Sequence, residues 1–413
     1  MLRNHETGQD LPMPLAGIKI VEYGVFHAGP GGTAILGDLG ADIIKIESGF
    51  GDPERYWTKI ARLDMALPNG ESIMHEVSNR NKRGIYLDIT TGKGKEIFHR
   101  LVGQADVFMT NLRKSTKKKL GIDYETLAAI HPRLIHANVS GYGPHGPMED
   151  LGAFDPLGQA VSGLMFTPGT REPTLLHLGV LDQSTAIALS HAILTALFVR
   201  ERRGIGQEVH VSLFGTALWL QHPNLMISSV LGVDPCVTST RLEHSPLRNA
   251  FCCQDGKWII GTHHPEEKYW KTFCELTAMT DLLGDDRYTD PYGRPVPGPD
   301  ILEKCDRLFS TRTRDEWIAL FLAHGLMFCP VKHVLEVKDD AQANANGYVA
   351  RFDHPTLGSI TIPGYPVHFS GCRAGTRTPA PAIGEHTDDI LHELGYSDTD
   401  IAALKNEGLI RQK

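Results

Sequence analysis

The chain has 413 residues, 41% hydrophobic and 22% charged, which supports an ordinary packed core divided over two or three domains. Asp and Glu number 49 against 41 Lys and Arg, and the net charge of −8 has the wrong sign for a general nucleic-acid binder. The 42 glycines and 25 prolines are spread along the chain, so neither a disordered tract nor a collagen-like repeat is indicated.

The first 14 residues, MLRNHETGQDLPMP, lack the apolar centre of a signal peptide. Short apolar runs then alternate with helical patterns. Strands are expected over 18–23, 42–46, 84–88, 106–109 and 134–138, with helices over 31–39, 93–102 and 124–130. Strands spaced by helices of this length favour right-handed crossovers and a mainly parallel sheet covered on both faces, a doubly wound α/β domain. The apolar stretch AIALSHAILTALFV (186–199) is too short to span a bilayer and runs into Arg200, Arg202 and Arg203; it reads as part of a buried helix over about 182–203. A strand over 208–212 follows.

The pattern breaks after about Phe214. Residues 215–232 read as an apolar helix or linker, and 245–335 mix helices with short strands such as 258–260. Two strand-like runs with turn signals occupy 347–370. The tail is helical again, with Gly395 as a C-cap and Ser397 as an N-cap. The seven cysteines are odd in number and contain no C-x-x-C pair, so reduced thiols in a cytoplasmic protein are expected. No metal site is expected either: His75-Glu76 lacks the second His of H-E-x-x-H, and Cys252 and Cys253 are adjacent on a strand.

Two motifs invite chemistry. Residues 29–34, GPGGTA, match G-x-G-x-x-A, but five residues separate Tyr23 from Gly29, and Pro30 lacks the amide a phosphate would use. Close helix packing explains these glycines better than a nicotinamide site. The second is Asp182, ahead of the long apolar helix. It can cap that helix, or it can be a carboxylate kept ionised by the helix N-terminus, beside amides that would hold an oxyanion. Spacing alone leaves both readings open.

A family resemblance weighs in. PLAGIKIVEY (14–23), LGDLGADIIKIE (36–47), GDP (51–53), NKRGIYLD (81–88), TNLR (110–113), HPRLI (131–135), SGYG (140–143), GIGQEVHVS (204–212) and APAIGEHT (380–387) occur in the order seen in class III CoA-transferases. The chain resembles that family, which includes formyl-CoA transferase, carnitine CoA-transferase and α-methylacyl-CoA racemase. The resemblance implies an α/β fold: a Rossmann-like large domain from both chain ends (1–214 and 375–413) and a smaller α+β domain (233–335). A linker (215–232) and a return linker with short strands (336–374) would join them, in an interlocked homodimer.

It further implies that Asp182 is the nucleophile, forming an aspartyl anhydride and then an aspartyl-CoA thioester. Coenzyme A or acyl-CoA would be substrate, with a small carboxylic acid as acceptor, no permanently bound cofactor and no metal. Neither a nucleic acid nor a membrane is an expected partner. His27 and Tyr142 would meet the substrate. Ala28, Leu87, Thr90, Asn111, Leu112, Arg113, Lys119 and Ser140 would hold CoA, with Lys114, Lys117 and Lys118 adding charge for its phosphates. The family's Asn-Phe-Arg-Pro-Gly is replaced here, with Lys114-Ser115 after Arg113. A racemase of the family has Gly-His-Asp where this chain has Ala153-Phe154-Asp155, and Phe154 cannot shuttle a proton. Transfer is therefore expected over racemisation, and a non-catalytic CoA-binding role stays open because no sequence feature proves turnover. His263 and His264 stand where they could face the acceptor, in place of the glycine-rich loop of the formyl-CoA type.

Overall fold

A computed structural model describes residues 11–170, 172–236 and 241–411. The expectation that the N-terminus carries no leader concerns mainly residues 1–10, which lie outside the described residues. The chain forms two compact units. One holds the chain up to Met165, Pro173–Met226 and the chain from Asn346 onward; the other holds Phe166–Glu172 and Ile227–Ala345.

The first unit is built on six parallel strands: β1 (Lys19–Glu22), β2 (Asp42–Glu47), β3 (Lys82–Tyr86), β4 (Val107–Thr110), β5 (Ile135–Ser140) and β6 (Gln207–Ser212). Their order is β3-β2-β1-β4-β5-β6, the doubly wound arrangement that the sequence pattern predicts. Its helices include α1 (Ala28–Asp38), α2 (Ile73–Asn79), α3 (Gly92–Gly103), α4 (Lys114–Leu120), α5 (Tyr124–Ile130), α6 (Asp155–Ser162), α7 (Val180–Arg203) and α8 (Leu213–Leu220), with two more near the C-terminus (Thr387–Glu393 and Asp398–Asn406).

Successive strand residues serve opposite faces. Ile20, Ile43, Val107 and Met109 pack with Leu189 and Ile193 of α7. Val21, Ile46 and Phe108 pack with Phe98 and Leu101 of α3 and with Ile390, Leu391 and Ile401 near the C-terminus. Both ends of the chain thus complete one core. The glycines of α1 serve packing: a Cβ on Gly32 would lie 2.6 Å from Leu189 Cδ2, and one on Gly31 would lie 3.3 Å from Ala186 Cβ. They let α1 and α7 approach closely.

Helix α7 is 24 residues long and apolar enough to cross a bilayer by length and composition, which the shorter apolar run did not suggest. Its buried positions, among them Leu181, Leu189, Ile193 and Ala196, instead fill the core of this unit. The expected linker also differs from what is found. Leu213, Thr216 and Ala217 of α8 are buried against α6 and α7, so the first part of 215–232 is integral to the first unit. So is the hairpin Val349–His354/Gly358–Pro363 of the return segment.

The second unit has a three-stranded antiparallel sheet of β7 (Ala250–Cys252), β8 (Trp258–Gly261) and β9 (Phe328–Val331), ordered β9-β8-β7. An aromatic core of Phe251, Trp270, Phe273, Phe309, Trp317, Phe321 and Phe328 stabilises it, with the Phe321 and Phe328 rings stacked at 4.5 Å. His263 belongs to this core. Its Nδ1 lies 2.8 Å from the Leu247 carbonyl, and its Nε2 accepts the Met327 amide at 2.8 Å. Both ring nitrogens of this buried side chain are occupied, so His263 does not face an acceptor; His264 is exposed.

Candidate active site

Strands β1 and β4 are neighbours at the point where the strand order reverses, and the loops after them run apart. A cavity of about 920 Å³ lies there, lined by residues following β1, β4 and β5 and by Asp182 of α7. Asn111, just past β4, clasps the loop after β1: its Oδ1 accepts the Val25 amide at 3.0 Å and its Nδ2 donates to the Val25 carbonyl at 2.6 Å. This fixes the loop that carries His27.

The start of α7 explains how Asp182 is presented. Leu178 and Gly179 both take left-handed backbone conformations (φ 62° and 66°), which turns the chain sharply into the helix. The first amides are then capped by Asp155 of α6, whose Oδ2 accepts Leu181 N at 2.7 Å and Asp182 N at 3.0 Å. Asp182 is therefore not the cap. It sits in the first turn, and its carboxylate makes no hydrogen bond among the described residues. The two amides held by Asp155 are not available to an oxyanion, contrary to the expectation from sequence.

The electrostatics also depart from a simple helix-terminus picture. Burial pushes the Asp182 carboxyl up to about 7, Asp155 and Glu54 add to the rise, and His27 opposes it. A half-buried carboxyl with unengaged oxygens and a near-neutral pKa, facing an open cavity, can act as a nucleophile or a base.

His27 is the titratable neighbour. Its Nε2 is 2.8 Å from Gln183 Oε1, its Nδ1 is 2.7 Å from Ser78 Oγ, and Glu54 Oε1 lies 3.8 Å from Nδ1. Burial works against a charged imidazole, but Glu54, Gln183 and Asp182 outweigh it and raise His27 above the ordinary histidine value. Burial raises the Glu54 carboxyl in turn, against the pull of His27.

Beneath lies a buried ion network. Glu22 accepts from Lys45 at 2.9 Å and Lys82 at 2.7 Å, and Lys45 also reaches Asp52 at 2.9 Å. Asp52 Oδ1 accepts the amides of Phe26 and Glu54, both at 3.0 Å, tying the network to the His27 loop. Although burial opposes it, the two lysines hold the Glu22 carboxyl down at about 2; burial pushes Lys82 down to about 7.

The cavity gathers His27, Ala28, Asn111, Leu112, Arg113, Ser140 and Asp182 from the residues expected in the site, together with Lys114, Lys117 and Lys118. Leu87, Thr90, Lys119 and Tyr142 do not line it. Leu87 is buried in the core, Thr90 bonds Asp88 in the turn before α3, Lys119 is exposed, and Tyr142 is half-buried in the loop after β5. Acidic Asp123, Glu125, Glu149 and Glu208 share the cationic end, where Lys114 pairs with Glu149 at 3.2 Å. Ser78, Glu54, Gln183 and the capping role of Asp155 were not foreseen. They come from segments far apart in sequence, whose neighbourhoods were marked by Gly51-Asp52-Pro53, His75-Glu76, Ala153-Phe154-Asp155 and Asp182 without any sign that they meet. Among the described residues, no three His, Cys, Asp or Glu side chains converge as a metal site would need.

The sequence pattern of the family described as CoA-transferase family III matches residues 15–387. The chain belongs to CoA-transferase family III. It is 31% identical over 403 residues to the (R)-2-hydroxy-4-methylpentanoate CoA-transferase of Clostridioides difficile, covering 97% of this chain and 100% of that one. It is 32% identical over 403 residues to an acyl-CoA transferase of Fusarium pseudograminearum (strain CS3096), covering 96% of this chain and 88% of that one. Among solved structures, a CAIB/BAIF family protein from Brucella suis shares the fold with a TM-score of 0.80 at 27% identity, covering 94% of this chain and 100% of that one. As a family III CoA-transferase the chain is an enzyme, and enzymes of this family use acyl-CoA as substrate. Asp155 is engaged with the α7 amides, and Phe154 packs edge-on against Phe26 with ring centroids 5.2 Å apart.

Proposed function

We propose that this enzyme moves CoA from an acyl-CoA donor to a small organic acid through covalent intermediates on Asp182. The observation that carries the reading is a carboxylate with no hydrogen-bond partner among the described residues, facing a cavity at the switch point of the sheet. An Asp182 oxygen attacks the donor thioester carbonyl; the C–O bond forms, the C–S bond breaks, and CoA leaves as thiolate. The thiolate attacks the aspartyl carbonyl of the mixed anhydride, giving aspartyl-CoA and the donor carboxylate. The acceptor carboxylate then displaces CoA from aspartyl-CoA, and the returning thiolate attacks the acceptor's carbonyl, regenerating Asp182. Every attacking group is an anion, so no general base is needed.

His27 supplies positive charge beside these oxygens, and the cationic side chains Arg113, Lys114, Lys117 and Lys118 suit the phosphates of CoA. Phe26, Phe154, Leu151 and Leu213 give the cavity an apolar wall that favours an acid with an apolar substituent, such as the (R)-2-hydroxy-4-methylpentanoate for which the relative is named. The working form in this reading is a cytoplasmic homodimer: all seven cysteines are free, and Ile187, Phe198, Trp219, Leu220 and Leu225 of the first unit expose apolar side chains that a second copy would cover. Incubation with acyl-CoA and hydroxylamine, followed by peptide mass spectrometry, tests the chemistry. Modification at Asp182, lost in Asp182→Asn along with CoA exchange, is expected; an active Asn variant would end the proposal.

A further inference from the structure

We propose that Glu54 is a positioning residue that keeps His27 protonated, so that an imidazolium faces Asp182 throughout CoA transfer. This rests on the reading of Asp182 as nucleophile. Glu54 lies in the turn Pro53–Tyr56 and is wholly buried, and neither of its carboxylate oxygens has a hydrogen bond among the described residues. A buried carboxylate left in this state is costly unless a counter-charge stands close by. The His27 ring provides it: Nδ1 is 3.8 Å from Glu54 Oε1, too far for a hydrogen bond and close enough for charge to act on charge.

The surrounding charges are otherwise spoken for. Asp52 bonds Lys45, and Glu22 holds Lys45 and Lys82. Arg55 is taken by Glu47 and Glu71. Asp155 of α6 caps α7. On α2, burial drives His75 well below the usual histidine range, so it stays neutral and offers no counter-charge. What remains among the described residues is one imidazole between two carboxyl groups, Glu54 behind it and Asp182 toward the cavity. Its ring nitrogens meet Ser78 Oγ at 2.7 Å and Gln183 Oε1 at 2.8 Å, both able to accept, so an imidazolium can donate on both sides.

The consequence for transfer follows from where charge travels. Asp182 gives up its negative charge when it becomes an ester-like carbonyl, the oxyanion and then the thiolate carry it, and the carboxylate recovers it at the end. A fixed positive ring beside these positions lowers each barrier without moving a proton. Glu54 does not line the cavity; in this proposal it acts chiefly through the ring.

Glu54→Gln keeps the volume and removes the charge. The expected result is a fall in kcat of roughly tenfold or more, with KM for acyl-CoA within about twofold. The acidic limb of the pH profile should move to higher pH, because losing the imidazolium raises Asp182 by more than losing Glu54's own repulsion lowers it. Glu54→Asp should recover part of kcat. In the unmutated enzyme, ¹⁵N-histidine NMR should show His27, assigned by its loss in His27→Gln, as an imidazolium near neutral pH. Wild-type kcat and an unmoved limb in Glu54→Gln would overturn the inference. So would a neutral His27 near neutral pH, a reading that needs no folded Glu54 variant. An inert Asp182→Asn with an unchanged Glu54→Gln would sink this inference alone, whereas an active Asp182→Asn would sink the transfer reading itself.

Discussion

Replacing Asp182 with Asn should abolish transfer and stabilise the fold. In the folded chain burial, with Asp155 and Glu54, lifts this carboxyl to about 7, against 3.8 for an ordinary aspartate. Between those two values the folded protein still binds a proton that the unfolded chain has released. Wild-type stability contributed by this group therefore falls as pH rises from about 4 to about 7, and the loss is complete above that. A rise of roughly three units at about 1.4 kcal/mol each amounts to about 4 kcal/mol at pH 8 and above. Asn has no proton to lose, so its advantage over wild type should grow by about 2–3 kcal/mol between pH 5 and pH 8. For a unit of this size that is roughly 3–6 °C in Tm. Thermal and urea unfolding of both proteins at the two pH values measures it directly. An advantage that is equal at both pH values, or a variant less stable than wild type at pH 8, would refute the reasoning that a raised carboxyl is held at Asp182 at a cost to the fold.

Two further substitutions probe the supporting structure. Glu22→Gln leaves Lys45 and Lys82 buried without their shared carboxylate, and should lower unfolding stability by about 3–5 kcal/mol in urea titrations; a loss below about 1 kcal/mol would mean the lysines find other partners. Asp155→Asn keeps an acceptor for the α7 amides but removes a negative charge that raises Asp182, so the acidic limb of the exchange profile should move to lower pH with activity retained. A limb moving upward, or complete inactivity in a folded variant, would contradict the assignment of Asp155 as a cap.

The sheet was legible in the sequence because its strands are short apolar runs separated by helices, a period that fixes both element type and parallel direction. Ile20 and Val21, buried on opposite faces, show that alternation directly. The position of Asp182 was legible too, since a long apolar helix has one N-terminus. Its environment was not. The carboxylate that caps α7 comes from Asp155, 27 residues earlier, and the ring that faces Asp182 from His27, 155 residues earlier, and local spacing carries no information on such meetings. Glu22 and Lys45 read simply as strand residues and Lys82 fell just ahead of the strand expected over 84–88, although the sheet brings the three together as buried ions. His263 misled for the opposite reason: a histidine pair beside a proline looks like a surface feature, whereas alternation out of β8 turns His263 inward to bond two backbone groups. The apolar linker expected after Phe214 reflected the same limit, since an apolar segment does not name the surface it will cover.

The account depends most on a covalent bond at one side chain. Intact-protein and peptide mass spectrometry after brief mixing with acyl-CoA, without acceptor, is the direct measurement. The account predicts a CoA-sized thioester adduct confined to the peptide containing Asp182, discharged when a carboxylic acid is added. Turnover of CoA between acids with Asp182 unmodified, and preserved in Asp182→Asn, would contradict it.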